Sequence, residues 1–131
     1  MKEVIATNQY YELAVDSSKN RLYYTIKGFW PSKSAVQDNY NDFLKSLARL
    51  TSGFDCVADV RDMKTPPEDV AQLHMSTQKL VVEKGISRTA EVFDQAMLRL
   101  VMERYSRESK MNIQAFASPV EAEAWLDSFK K

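Results

Sequence analysis

Apolar residues in this chain recur at every second position, then every third or fourth, then every second again. That switching between two periods decides which folds are open to it. In Arg21–Trp30, Leu22, Tyr24 and Ile26 share one face while Tyr23, Thr25 and Lys27 share the other, as side chains on a strand do. Tyr10–Asp16 precedes it across Ser17-Ser18-Lys19-Asn20, a polar turn of hairpin length, so the pair predicts an antiparallel hairpin. Val36, Tyr40, Phe43, Leu44 and Leu47 then fall on one helical stripe, with Ser34 and Gln37 spaced as a capping box and Gly53 as the stop. Phe54–Val60, short and rich in small or branched apolar residues, predicts a strand covered on both faces.

The second half repeats the pattern. Thr65-Pro66-Pro67-Glu68 predicts a helix start with Thr65 as the hydroxyl cap, and Val70, Leu73, Thr77, Leu80 and Val81 form the buried stripe up to Gly85. Thr89–Phe93 reads as a strand. Asp94 then caps a third helix through about Arg107, whose stripe is Met97, Leu98, Val101, Met102 and Tyr105. Asn112–Ala117 is the last strand. Ser118-Pro119-Val120-Glu121 opens a terminal helix, and its Ala122, Trp125, Leu126 and Phe129 are expected to be buried against the sheet. The order β-β-α-β-α-β-α-β-α implies an α/β fold with a mixed, mainly parallel sheet and an N-terminal hairpin. No linker or repeat interrupts it, so one domain over residues 1–131 is expected.

Charge and composition exclude several functions. Eighteen basic residues balance eighteen acidic ones, which removes the bulk attraction that nucleic acid or an anionic membrane exerts on a basic protein. One cysteine and one histidine leave no disulfide framework and little material for a metal site, so neither metal nor cofactor is expected. No apolar run approaches the ~18 residues of a membrane span, and no leader-like stretch is present, so a cytoplasmic protein is expected. Three glycines, each near an element boundary, cannot build a dinucleotide fingerprint, and no nucleophile elbow or paired-histidine zinc motif occurs. A non-enzymatic protein is expected.

Three stretches point to a known fold: Tyr23-Tyr24-Thr25-Ile26-Lys27-Gly28-Phe29-Trp30, Cys56-Val57-Ala58-Asp59-Val60-Arg61-Asp62, and Phe116-Ala117-Ser118-Pro119-Val120-Glu121-Ala122-Glu123-Ala124-Trp125-Leu126. With this element order the chain resembles the STAS domain of bacterial anti-sigma factor antagonists, and more particularly its SpoIIAA-like (STAS/SEC14-like) branch. The resemblance implies a regulatory or protein-interaction domain. Where the antagonists carry a phosphorylated serine, this chain reads Met63-Lys64-Thr65-Pro66-Pro67-Glu68, which lacks the usual phosphoserine motif. The SEC14-like kinship implies an alternative, a binder of a small apolar or lipid-like ligand.

Loops at strand carboxyl ends are favoured sites in α/β sheets, so Asp59, Arg61, Asp62, Met63 and Thr65 are the candidate contact residues for a protein partner. Arg61 and Met63 are the expected anchors. Charge pairing within the cluster is the competing explanation, and for Thr65 it is the helix cap. The alternative apolar surface is Tyr24, Phe29 and Trp30 in the aromatic hairpin, a candidate for an apolar ligand or a homodimer contact. His74 borders the apolar stripe of the second helix, and Cys56 lies in a buried strand, so both are expected to be structural.

Overall fold

The computed structural model describes residues 2–93 and 113–129. Six strands form one sheet whose order is the order of the chain: β1 (Lys2–Thr7), β2 (Tyr11–Asp16), β3 (Arg21–Gly28), β4 (Asp55–Met63), β5 (Arg88–Val92) and β6 (Ile113–Phe116). β1, β2 and β3 are antiparallel, whereas β3 to β6 run parallel. A 3-10 turn (Lys33–Val36) leads to α1 (Asn39–Leu47), then come α2 (Glu68–Glu83) and, after β6, α3 (Pro119–Asp127). The third helix expected over Asp94–Arg107 lies outside the described residues.

The α/β class and the parallel core agree with the sequence pattern. The strand β1 does not, because it was not anticipated. Its Val4-Ile5-Ala6 run breaks the alternation, and the ladder to β2 slips there between Val4 and Ala6. Asn8 makes the connection, its side-chain oxygen accepting from the backbone amides of Tyr10 (2.8 Å) and Tyr11 (3.0 Å).

On one face of the sheet, α1 and α2 cover Tyr11, Leu13 and Val15 of β2, Leu22, Tyr24 and Ile26 of β3, and Cys56, Ala58 and Val60 of β4. The α2 stripe is as expected: Val70, Leu73, Thr77, Leu80 and Val81 are all buried. The α1 stripe is corrected. Val36 belongs to the 3-10 turn, which breaks the helical phase, so α1 buries Asn39, Phe43, Ser46 and Leu47 and leaves Tyr40 and Leu44 each 39% exposed. Gly85 ends the α2 segment at φ +95, where a Cβ would strike the Ser52 side chain.

On the other face α3 covers Val57, Ala90 and Val92 with Ala122 and Leu126. Its cap is the expected one, Ser118 Oγ accepting from the Glu121 amide with Pro119 beginning the helix. Trp125 is only half-buried, against Phe116, and Phe129 is 47% exposed with Arg88 stacked on its ring, so burial of that pair is corrected. The helix is held instead by charge. Arg21, 0% exposed, donates through Nε and Nη2 to Asp55 (2.7 and 3.2 Å) and through Nη1 to Asp127 (2.8 Å) and to Glu123. Tyr23 OH donates to Glu123 at 2.8 Å, and Lys19 lies 3.4 Å from Glu123.

Candidate functional site

The carboxyl end of β4 carries the residues expected to make contacts. β4 has one extra residue against β3: Thr25 is opposite Asp59, but Lys27 is opposite Asp62. The inward face therefore passes from Val60 to Met63, and Arg61 and Asp62 both stay outside. Arg61 forms a two-point bond with Asp59, Nε to Oδ1 at 3.0 Å and Nη2 to Oδ2 at 2.7 Å, so the two charges satisfy each other. Met63, expected as an anchor, is 2% exposed and belongs to the core.

Thr65 is exposed and caps nothing. α2 starts at Glu68, its cap position is Pro67 in extended conformation, and no side chain bonds there. The physical reason is the proline pair: a residue preceding proline is pushed out of the helical region, so neither Thr65 nor Pro66 can begin the helix. The space beside this end is closed as well. Trp30, Met63, Val70 and His74 close together with about 0 Å³ between them.

The aromatic alternative is divided in the same way. Tyr24 (8% exposed) packs edge-on against Phe43 at 4.8 Å, and Trp30 (2%) donates Nε1–H to the Tyr10 carbonyl at 2.9 Å, so both are core residues. Only Phe29, 52% exposed, presents an outward surface.

Two concavities border α2. The first is a groove of about 470 Å³ between the 3-10 turn, α1 and the start of α2, with Val36 and Leu73 at its base and Lys33, Gln37, Tyr40 and Asp69 around it. Asp69 ties its walls together by accepting from the Lys33 amide (2.7 Å) and from the Val70 amide (2.9 Å). Lys33 has no ion-pair partner among the described residues, so the rim presents one charge of each sign, Lys33 and Asp69.

The second is a cavity of about 50 Å³ between α2 and the sheet. Leu22, Tyr24 and Ile26 line it from β3, and its polar lining comes from Cys56, His74, Gln78, Thr89 and Glu91. Burial pulls the His74 pKa down to about 4 and pushes the Cys56 thiol well above its ordinary value, so both are uncharged at neutral pH. Thr89 Oγ1 is buried without a hydrogen-bond partner. The His74 ring stacks on Trp30 at 4.9 Å.

Of the expected site residues, Tyr24 alone lines either concavity, the second. The spacing from Val36 places Tyr40 on the buried stripe, and the 3-10 turn removes Val36 from that helix. Thr89 and Glu91 did carry a signal: two polar residues on one face of a strand flanked by buried Ala90 and Val92. Among the described residues no group of His, Cys, Asp and Glu is placed to hold a metal, and no helix is long and apolar enough to cross a membrane.

No protein-family model matches this chain, and no curated protein matches it either. A solved structure does: an uncharacterized protein of the DUF3478 family from Shewanella loihica PV-4, described with a SpoIIAA-like fold. It superposes with a TM-score of 0.72 over 92% of this chain and 97% of its own, at 13% identity. The fold of the chain is SpoIIAA-like.

Proposed function

We propose that this SpoIIAA-like domain is a non-enzymatic, cytoplasmic regulatory module that binds a partner protein through the groove between the 3-10 turn, α1 and the start of α2. The observation that carries this reading is the groove itself, about 470 Å³ in size, beside a helix that turns Tyr40 and Leu44 outward. Clustered apolar side chains left at a surface are what a partner covers. The apolar base, and a Lys33 ammonium without an ion-pair partner among the described residues, fit a partner segment with an apolar anchor and a carboxylate placed to meet Lys33. Phe29, Asp62 and Thr65 lie outside the groove lining and are secondary contacts in this reading. No phosphate switch is needed, since the Met63–Glu68 stretch contains no serine.

A photo-crosslinking side chain at position 40 tests this. It should capture a protein from the source cells, and Lys33→Glu should abolish the capture. A crosslinker at Val120, 78% exposed on α3, should capture nothing. Equal capture from 120, or capture unaffected by Lys33→Glu, would sink the reading.

A second reading, binding of a small apolar or lipid-like ligand, is favoured by the cavity beneath α2. Its size limits the occupant to a few atoms, or to the tip of a longer molecule.

A further inference from the structure

The cavity beneath α2 combines an apolar wall with two polar groups that have no hydrogen-bond partner among the described residues. Thr89 is 2% exposed, lines the cavity, and its Oγ1 has no hydrogen-bond partner. A hydroxyl in that position carries a desolvation cost that a ligand group removes. His74 is 3% exposed and lines the same cavity from α2, and no hydrogen bond engages either ring nitrogen among the described residues. Thr77 next to it is already satisfied, its hydroxyl donating to the His74 carbonyl at 3.0 Å.

The chemistry of the wall selects the charge of the occupant. Among the described residues no lysine or arginine lines the cavity, and the acid that does is Glu91, so there an anion meets no counter-charge. A neutral imidazole offers one donor and one acceptor, and a threonine hydroxyl offers both as well. Leu22, Ile26, Ala58 and Val81 provide the remaining contact, and these ask for carbon. A volume of about 50 Å³ is a few times what one water needs, which sets the occupant at roughly three to four non-hydrogen atoms.

We propose that this cavity is a binding site for a small neutral molecule of the amide or alcohol class, its polar head held between Thr89 and His74 and its carbon body against the β3 side chains. The proposal rests on the second reading, that the cavity takes a ligand, and deepens it by naming the head group. The head, and not the apolar tail alone, sets the affinity, because pairing a buried polar atom contributes more than filling the last of a small apolar space. The site is separate from the groove, with no lining residue in common among the described residues.

The test uses four probes on the intact chain, followed by heteronuclear NMR: acetamide, its isosteric anion acetate, its isosteric cation acetamidinium, and xenon. Acetamide should saturate in the millimolar range, with shifts concentrated at Thr89 and His74, while acetate should leave those signals in place at pH 7 and acetamidinium should bind no more tightly than acetamide. Thr89→Val, which keeps the shape and removes the hydroxyl, should weaken acetamide about tenfold or more and leave xenon unchanged. Binding of xenon without acetamide, tighter binding of either ion, or equal acetamide affinity in Thr89→Val would each overturn the head-group assignment while keeping the cavity as a site. Binding of neither xenon nor acetamide would overturn the cavity reading itself.

Discussion

The two faces of the sheet are held by different physics. Under α1 and α2 the cover is aliphatic and aromatic, with Leu13, Leu22, Ile26, Phe54, Val60 and Val70 all at 1% exposure or less. Under α3 the apolar contribution is small, Ala122 and Leu126 against Val57, Ala90 and Val92, and a buried arginine with three carboxylates completes the attachment. Apolar burial is nondirectional, so α1 and α2 can leave a cavity and a groove and still hold. The arginine fixes α3 in one position, because its fork matches Asp55 on one side and Glu123 with Asp127 on the other.

If that contrast is right, the largest single effect should come from the charged face. Arg21→Met leaves Asp55, 3% exposed, without its cation and should cost about 3–5 kcal/mol in a denaturant melt. The double variant Arg21→Met with Asp55→Leu should recover most of that loss, and no recovery would mean that the arginine holds the face by packing alone. On the apolar face, Leu22→Ala should cost about 3 kcal/mol. Adding salt should leave this loss unchanged, as expected where no charge is involved.

Acid should separate the faces along one axis. The folded-state pKa of His74 is about 4 against 6.5 for a free histidine, so between those values only the unfolded chain takes up the proton. Stability should therefore fall by about 3 kcal/mol as pH drops from 7 to 4, and His74→Gln should flatten that limb. The Asp127 carboxyl is held below its ordinary 3.8 by its bond to Arg21, so its contribution persists above that value and is lost only at lower pH. Far-UV signals of α3 that vanish before pH 4 would contradict this order.

The smallest effects concern the helix starts. Ser118→Ala should cost about 1 kcal/mol, since Ser118 caps α3. Thr65→Ala should change stability by less than about 0.5 kcal/mol, since Thr65 caps nothing. An equal loss at both positions would restore Thr65 as a cap.

What could be read from the residues alone follows the same division. Periodicity identified the hairpin, the α2 stripe and the Ser118 cap, because each is a local pattern of burial or capping. It missed features that depend on a neighbour. The extra residue in β4 turns Met63 inward, and nothing near Met63 announces it. The aromatic pair Tyr24 and Trp30 looked available because a hairpin has two faces, and only the fold shows α1 and α2 claiming one of them. The buried arginine was invisible for the same reason, since Arg21 and its α3 partners are 102 and 106 positions apart. The concavities border α2 and not the β4 end, because Trp30 packs with Met63, Val70 and His74 there.

A sheet whose strand order equals its chain order can grow at one edge as the polypeptide is synthesised, each new strand meeting the one made just before it. Arg21 is the exception to that progress. It enters with β3 and meets Asp55 when β4 arrives, but its Nη1 donors wait for α3, the last described element to leave the ribosome. Until then the nascent sheet contains a cation only half compensated. On that order of synthesis, the last described contact to become available is the docking of a helix onto a charge, one of long sequence separation that no amount of early strand pairing can supply.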